Sequence, residues 1–132
     1  KATYIVSTAG TSVTYKAPAN KKVKKVTIPS SVTINGITYK VISIAPNAFK
    51  KCKKLKKVTI GTGVTEIGKK AFAGCKNLKN VIVKSKSLKK VGKNAFKDIN
   101  KTAKIKVPKK KMKVYTKLFK KAKVAKNVKI TK

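Results

Sequence analysis

The chain has 132 residues, 41% of them apolar, which allows one domain with a modest core. Its charge is one-sided: 37 lysines, no arginine and no histidine stand against Glu66 and Asp98 alone, a formal net charge of +35. That composition leaves no histidine for proton transfer, only Cys52 and Cys75 as soft metal ligands, and no run of about 18 to 20 apolar residues able to span a bilayer.

Residues 1–40 alternate and are rich in β-branched side chains: Tyr4-Ile5-Val6, Val13-Thr14-Tyr15, Val26-Thr27-Ile28, then Val32 to Tyr39 around Asn35-Gly36. Asn-Gly between such runs is the strongest short hairpin signal, because both residues adopt positive φ readily. This zone is expected to form strands covering the open N-terminal end of a repeat stack. Val26-Thr27-Ile28-Pro29 also fits the strand position of a degenerate first repeat.

Residues 41–108 contain the repeat. Ala-Phe-x-x-Cys-x-x-Leu-x-x-Val-x-Ile runs from Ala48 to Ile60 and returns from Ala71 to Val83, so the interval from Ala48 to Ala71 is the period. An eroded copy starts at Ala95-Phe96 and keeps Ile105 and Val107. A period of this length marks a stack in which each unit buries its apolar face only against its neighbours. It outweighs the charge, which alone would suggest disorder. Each unit should carry a short strand (Val58 to Ile60, Val81 to Val83, Ile105 to Val107), a polar turn, and a second apolar pair, Val41/Ile44, Val64/Ile67 or Leu88/Val91. The Ala-Phe segment then forms a helical turn or 3₁₀ piece with Phe49, Phe72 and Phe96 stacked inside. About three to four turns are expected.

Residues 109–132 change period. Met112, Tyr115, Leu118/Phe119 and Ala122 follow helical spacing just after Pro108, which predicts an amphipathic helix over about 109–121, laid on the last repeat as a cap. A short strand should follow at 128–130. The chain begins with Lys1 and its only methionine is Met112, so a processed or excised piece of a larger protein is expected.

The repeat spacing, with Val-Thr-x-Ile-Gly-x-x-Ala-Phe at Val64 to Phe72, resembles the BspA-type leucine-rich repeat of bacterial cell-surface proteins. The resemblance is strong over residues 26–108; Ile28 to Val32 and Val107 to Lys111 resemble flanking segments in secreted proteins of Gram-positive gut bacteria. The third copy departs from the pattern, with Ile99 for Cys and Thr102 for Leu. The resemblance implies a right-handed solenoid, mainly β with short helical turns, in an extracellular or wall-attached protein. It implies adhesion or another interaction role without enzymatic activity, and it supplies no ligand-binding residues.

Candidate chemistry is sparse. Glu66 and Asp98 fall at non-equivalent repeat positions and do not make a catalytic pair. Gly61-Thr62-Gly63-Val64-Thr65-Glu66 lacks the third glycine and long helix of a phosphate loop and reads as a polar turn. Cys52 and Cys75 share a slot that Ile99 fills in the third copy, which points to buried, unreactive thiols over a disulfide; parallel side chains on adjacent turns oppose the bond. No catalytic, cofactor or metal residue is assigned.

The lysines are the one large-scale signal, either a solubilising filler or a surface for an anionic partner. The outward strand positions should form a ladder of candidate partner-binding residues: Lys25 and Thr27, Lys57 and Thr59, Asn80 and Ile82, Lys104 and Lys106. Expected partners are a host extracellular protein or acidic glycan, or an anionic wall polymer that the domain would grip electrostatically. A spacer role is the remaining alternative. Non-specific nucleic-acid binding at low salt follows from the charge, but specific recognition does not, since arginine and exposed aromatics are missing. Net charge favours a monomer.

Overall fold

The computed structural model describes residues 2–132. Two sheets face each other across one core. One is five-stranded, in the order β11-β10-β8-β6-β3, and every pairing in it is parallel. Its members are β3 (Lys25–Ile28), β6 (Lys57–Ile60), β8 (Asn80–Val83), β10 (Lys104–Lys106) and β11 (Lys129–Thr131). The other runs β1-β2-β5-β7-β9, with β4 attached to β5. It comprises β1 (Thr3–Val6), β2 (Ser12–Ala17), β4 (Ser31–Ile34), β5 (Ile37–Ile44), β7 (Glu66–Ile67) and β9 (Lys90–Val91). We call these the ladder sheet and the short-strand sheet. From β2 to β10 the chain alternates between them, with β4 and β5 joined as a hairpin, so each turn over that span adds one rung to both.

The period of the sequence becomes spatial register. Val58 pairs with Val81 and Ile60 with Val83, while Lys57 faces Asn80. Alternate residues of each strand point inward, and Ile28, Val58, Ile60, Val81 and Ile105 are all fully buried. Val26 to Ile28 is indeed a first rung, in register with Val58 to Ile60. The ladder sheet therefore holds five rungs, one more than the sequence count.

The Asn35-Gly36 hairpin forms as expected, with φ of 51° and 79°, joining β4 to β5. Beyond the hairpin β5 turns into a stacking strand, parallel to β2 on one side and β7 on the other. Among the described residues, only the β1–β2 and β4–β5 pairings are antiparallel.

The Ala-Phe segments are neither a helical turn nor a 3₁₀ piece. Each is a chain of single turns: Ala48, Lys50 and Cys52 donate backbone N–H bonds to Ala45, Asn47 and Phe49. The cause is a pair of left-handed residues two positions either side of the phenylalanine. Asn47, Lys70 and Asn94 precede it with φ of 57–61°, and Lys51, Gly74 and Asp98 follow it with φ of 59–78°. A left-handed residue breaks helical propagation, so the backbone bonds to the next rung instead. Phe49 N–H donates to Ala71 O and Phe72 N–H to Ala95 O. Gly68 and Gly92, at the end of their short strands, lie so near the preceding rung that a Cβ would collide with the backbone nitrogens of Pro46 and Lys69.

These turns hold the rings in a column. Phe49 and Phe72 are 4.9 Å apart and Phe72 and Phe96 5.1 Å, each pair tilted by only 7°. Tyr15 of β2 extends the column at 5.3 Å from Phe49, and Tyr4 and Phe119 close its ends edge-on.

The helix α1 (Met112–Lys121) begins later than expected, because Lys109–Lys111 wind as a 3₁₀ turn after Pro108. It lies against β9, where a fifth short strand would fall. Tyr115 anchors it: the hydroxyl donates to Ser85 O at 2.8 Å and accepts from Leu88 N–H at 3.0 Å. Ser85 is fully buried and its own hydroxyl donates to Val64 O. The last strand spans Lys129–Thr131, shifted by one position from the expected range.

Phe72→Ala, in the middle of the column, is expected to lower stability by about 3 to 5 kcal/mol, measured by chemical denaturation. Tyr115→Phe removes no volume from the core but leaves Ser85 O and Leu88 N–H unpaired; the expected loss is about 1 to 3 kcal/mol at unchanged denaturant slope.

Candidate functional site

The outer face of the ladder sheet is built by strand alternation: with valine and isoleucine turned inward, the residues between them must face solvent. All eight predicted ladder residues occupy it, in two straight rows. Lys25, Lys57, Asn80 and Lys104 are successive register partners in the first, and Thr27, Thr59, Ile82 and Lys106 in the second. The fold adds a rung that sequence reasoning missed, since Lys129 continues the first row and Thr131 the second. Lys25, Thr27, Asn80, Lys104 and Lys106 are exposed, whereas Lys57, Thr59 and Ile82 are half-buried. Ile82 is thus a single apolar position in its row: its neighbours there are Thr59 and Lys106.

Rungs of a sheet stand about 4.8 Å apart, a spacing at which two ammonium groups in water repel by roughly 0.9 kcal/mol before screening. Asn80 interrupts the first row and divides it into Lys25–Lys57 and Lys104–Lys129. The second row carries one lysine in five. The face is therefore a cationic stripe beside a nearly neutral one, which suits a partner with an acidic edge.

The two carboxylates lie apart in the fold. Glu66 belongs to β7, between Ser43 and Lys90 in register, and Asp98 is in the left-handed turn after Phe96. Among the described residues, no three acidic or thiol side chains come together to hold a metal. The Gly61 turn is packed against the rung before it, so closely that a Cβ there would collide with Ile28 O.

Cys52 and Cys75 are free, buried thiols at 1% and 0% exposure, matching the reading from their shared slot. The Cys75 thiol donates to Phe49 O at 3.0 Å. Burial pushes Cys75 up to about 12, with neighbouring Cys52 adding to the rise. Burial likewise raises Cys52, and Lys21 draws it part of the way back. A raised folded-state value favours the neutral thiol, so the stability it contributes is complete below the unfolded value of about 8.5 and is lost as pH climbs toward 12. The difference in denaturation midpoint between the parent chain and Cys75→Ala should therefore shrink from pH 8 to pH 11. Iodoacetamide should label both thiols at least about 100-fold more slowly in the native than in the denatured chain.

Similarity to known proteins is clearest at the level of repeat and fold. A search of curated proteins finds no significant match. Among solved structures, a leucine-rich cell-surface protein of Faecalibacterium prausnitzii superposes with a TM-score of 0.66 at 24% identity, covering 82% of this chain and 35% of its own. A leucine-rich repeat protein of T. pallidum gives 0.63 at 23% identity, covering 80% and 50%. One from Bacteroides capillosus gives 0.59 at 24%, covering 81% and 94%. The chain thus spans half or less of the first two, and likeness at these identities is one of fold. The family model described as the BspA type leucine rich repeat region matches residues 11–132 in six copies. With its period, parallel register and buried Phe, Cys and Leu slots all in that pattern, the chain belongs to the BspA-type leucine-rich repeat family.

Proposed function

We propose that this domain is a non-enzymatic binding module of a larger secreted or wall-attached bacterial protein, which presents the outer face of the ladder sheet to an acidic host protein or glycan. The observation that carries the reading is the register: four lysines from four separate rungs fall in one line. Regular rows on a parallel stack are the surface through which repeat proteins commonly bind. The absence of histidine from the sequence and the separation of Glu66 from Asp98 support a role without catalysis.

The same reading takes residues 1–132 as one domain coiling right-handedly. Residues 1–40 and 109–132 close the two ends of the stack over residues 41–108. In its favour, Tyr4 and Phe119 terminate the aromatic column edge-on. A monomer follows from mutual repulsion at +35.

The second reading, an electrostatic anchor on anionic wall polymer, draws support from the lysines outside the ladder, such as Lys50, Lys51, Lys53 and Lys54, all exposed. Binding to wall polymer, heparin and DNA, titrated side by side with salt, separates the possibilities. Lys57→Asn with Lys104→Asn copies the residue already present at Asn80, so the fold should tolerate it. If the ladder face is the site, this pair weakens binding at least about 10-fold near physiological salt, whereas Lys113→Asn with Lys117→Asn on α1 changes it less than about twofold. Equal effects from both pairs, with binding that collapses between low and physiological salt, would assign the affinity to diffuse charge.

A further inference from the structure

The repeat fails at one place, and a pocket opens there. Phe119 stands at the same interval from Phe96 as Phe72 from Phe49, and Ala122 falls in the slot of Cys52, Cys75 and Ile99. The strand after it arrives late. Val58 pairs with Val81 but Ile105 pairs with Ile130, a step two positions longer, so the turn before β11 carries extra chain. The slot filled by the fully buried Leu55 and Leu78, each donating its N–H to the carbonyl three residues back, is taken at the last two rungs by the smaller buried Ala103 and Val128, which make the same bond to Asn100 and Ala125. Missing volume in that slot and a longer turn leave a cavity of about 680 Å³ before the N-terminal ends of β10 and β11.

Its lining is mixed in a specific way. Phe96, Ile99 and Val128 form an apolar floor, and Lys76, Asp98 and Lys101 surround it. Asn100 and Asn127 complete the wall with hydrogen-bonding capacity to spare. The Asn100 carbonyl oxygen is occupied by the backbone N–H and hydroxyl of Thr102, which leaves its NH₂ group as a donor. Asn127 gives its NH₂ to Lys101 O, which leaves its carbonyl as an acceptor. Two ammonium groups against one carboxylate give the lining a net charge of +1. Asp98 is one of only two acids in the chain, and a site meant for bare anions would not contain it.

We propose that this pocket binds a carboxylate-bearing sugar residue. The ligand's carboxylate pairs with Lys76 and Lys101, its ring hydroxyls donate to Asp98 and the Asn127 carbonyl, and its C–H face lies on Ile99 and Val128. A mono-anion balances the lining charge, the hydroxyls satisfy acceptors that a phosphate could not use, and the volume admits a single pyranose with its substituents. The pocket shares no residue with the two rows of the ladder sheet, so its failure and the failure of the ladder reading are separately visible.

The test is an amide-resolved NMR titration near physiological salt with methyl glucuronide and N-acetylneuraminic acid, against methyl glucoside and acetate. Either acidic sugar should saturate with a Kd on the order of a few millimolar, shifting amides at 98–101 and 125–128. Whichever sugar saturates first identifies the source, uronic or sialic. The neutral glucoside and acetate should bind at least about 10-fold more weakly. Asp98→Gly copies Gly74 at the equivalent left-handed position and Lys101→Asn copies Asn77, so both variants should keep the parent's melting temperature. Each should weaken sugar binding by about 5- to 10-fold. Acetate binding as tightly as the sugars, shifts spread evenly over lysine amides, or no saturation by about 50 mM would overturn the proposal.

Discussion

Ring-to-ring distance governs this fold. Parallel strands repeat at about 4.8 Å, and stacked aromatic rings favour nearly the same separation. Phe49, Phe72 and Phe96 therefore stack at 4.9 and 5.1 Å without tilting the rungs away from their hydrogen bonds. One dimension satisfies two interactions, and any departure in register would break both. The column also explains why both sheets run parallel through the centre, since only parallel rungs bring equivalent rings into line. At the ends Tyr4 and Phe119 meet the stack at 81° and 69°, so the column ends in edge-on contacts where the repeat stops.

Around that column the charge is a constraint that the fold accommodates rather than exploits for stability. Among the described residues, tyrosines and cysteines aside, Ser85 is the one buried polar side chain, and no lysine is buried. Lysine even occupies conformations usually given to glycine or asparagine: Lys51, Lys70 and Lys123 have φ near 60°. A left-handed lysine costs on the order of 1 kcal/mol, and these positions are exposed or half-buried turns where the long side chain is free to reach solvent. The buried thiols follow the same division of inside from outside, being held neutral by their surroundings.

Much of this was legible in the residues. Identical slots one period apart gave the rungs, the inward and outward faces, the ring stack and the buried cysteines, because side-chain identity there is fixed by volume. The left-handed pair around each phenylalanine was less visible, since lysine, which has no preference for positive φ, stands at these positions beside Asn, Gly and Asp. Tyr15 joins the column from a strand, without the Ala-Phe signature, and only the fold reveals it. Phe119 did carry a signal, its interval from Phe96, but the helical spacing around it masks the repeat. The register of β11 was beyond reach: a slip of two positions keeps the same side chains inward and leaves no trace in the pattern.

Equivalent slots also bear on how such a chain changes length. A deletion spanning one full period between Phe49 and Phe72 would bring Tyr15's stacking partner, the strand pairing and the interlocking turns back together with each interface intact, because what lies above and below is interchangeable. Loss or gain of one whole unit is then a mild event, and of any fraction of a unit a severe one. Evolution can lengthen or shorten this protein in whole steps, while the unmatched final turn, being the one place without an equivalent, must travel with the end.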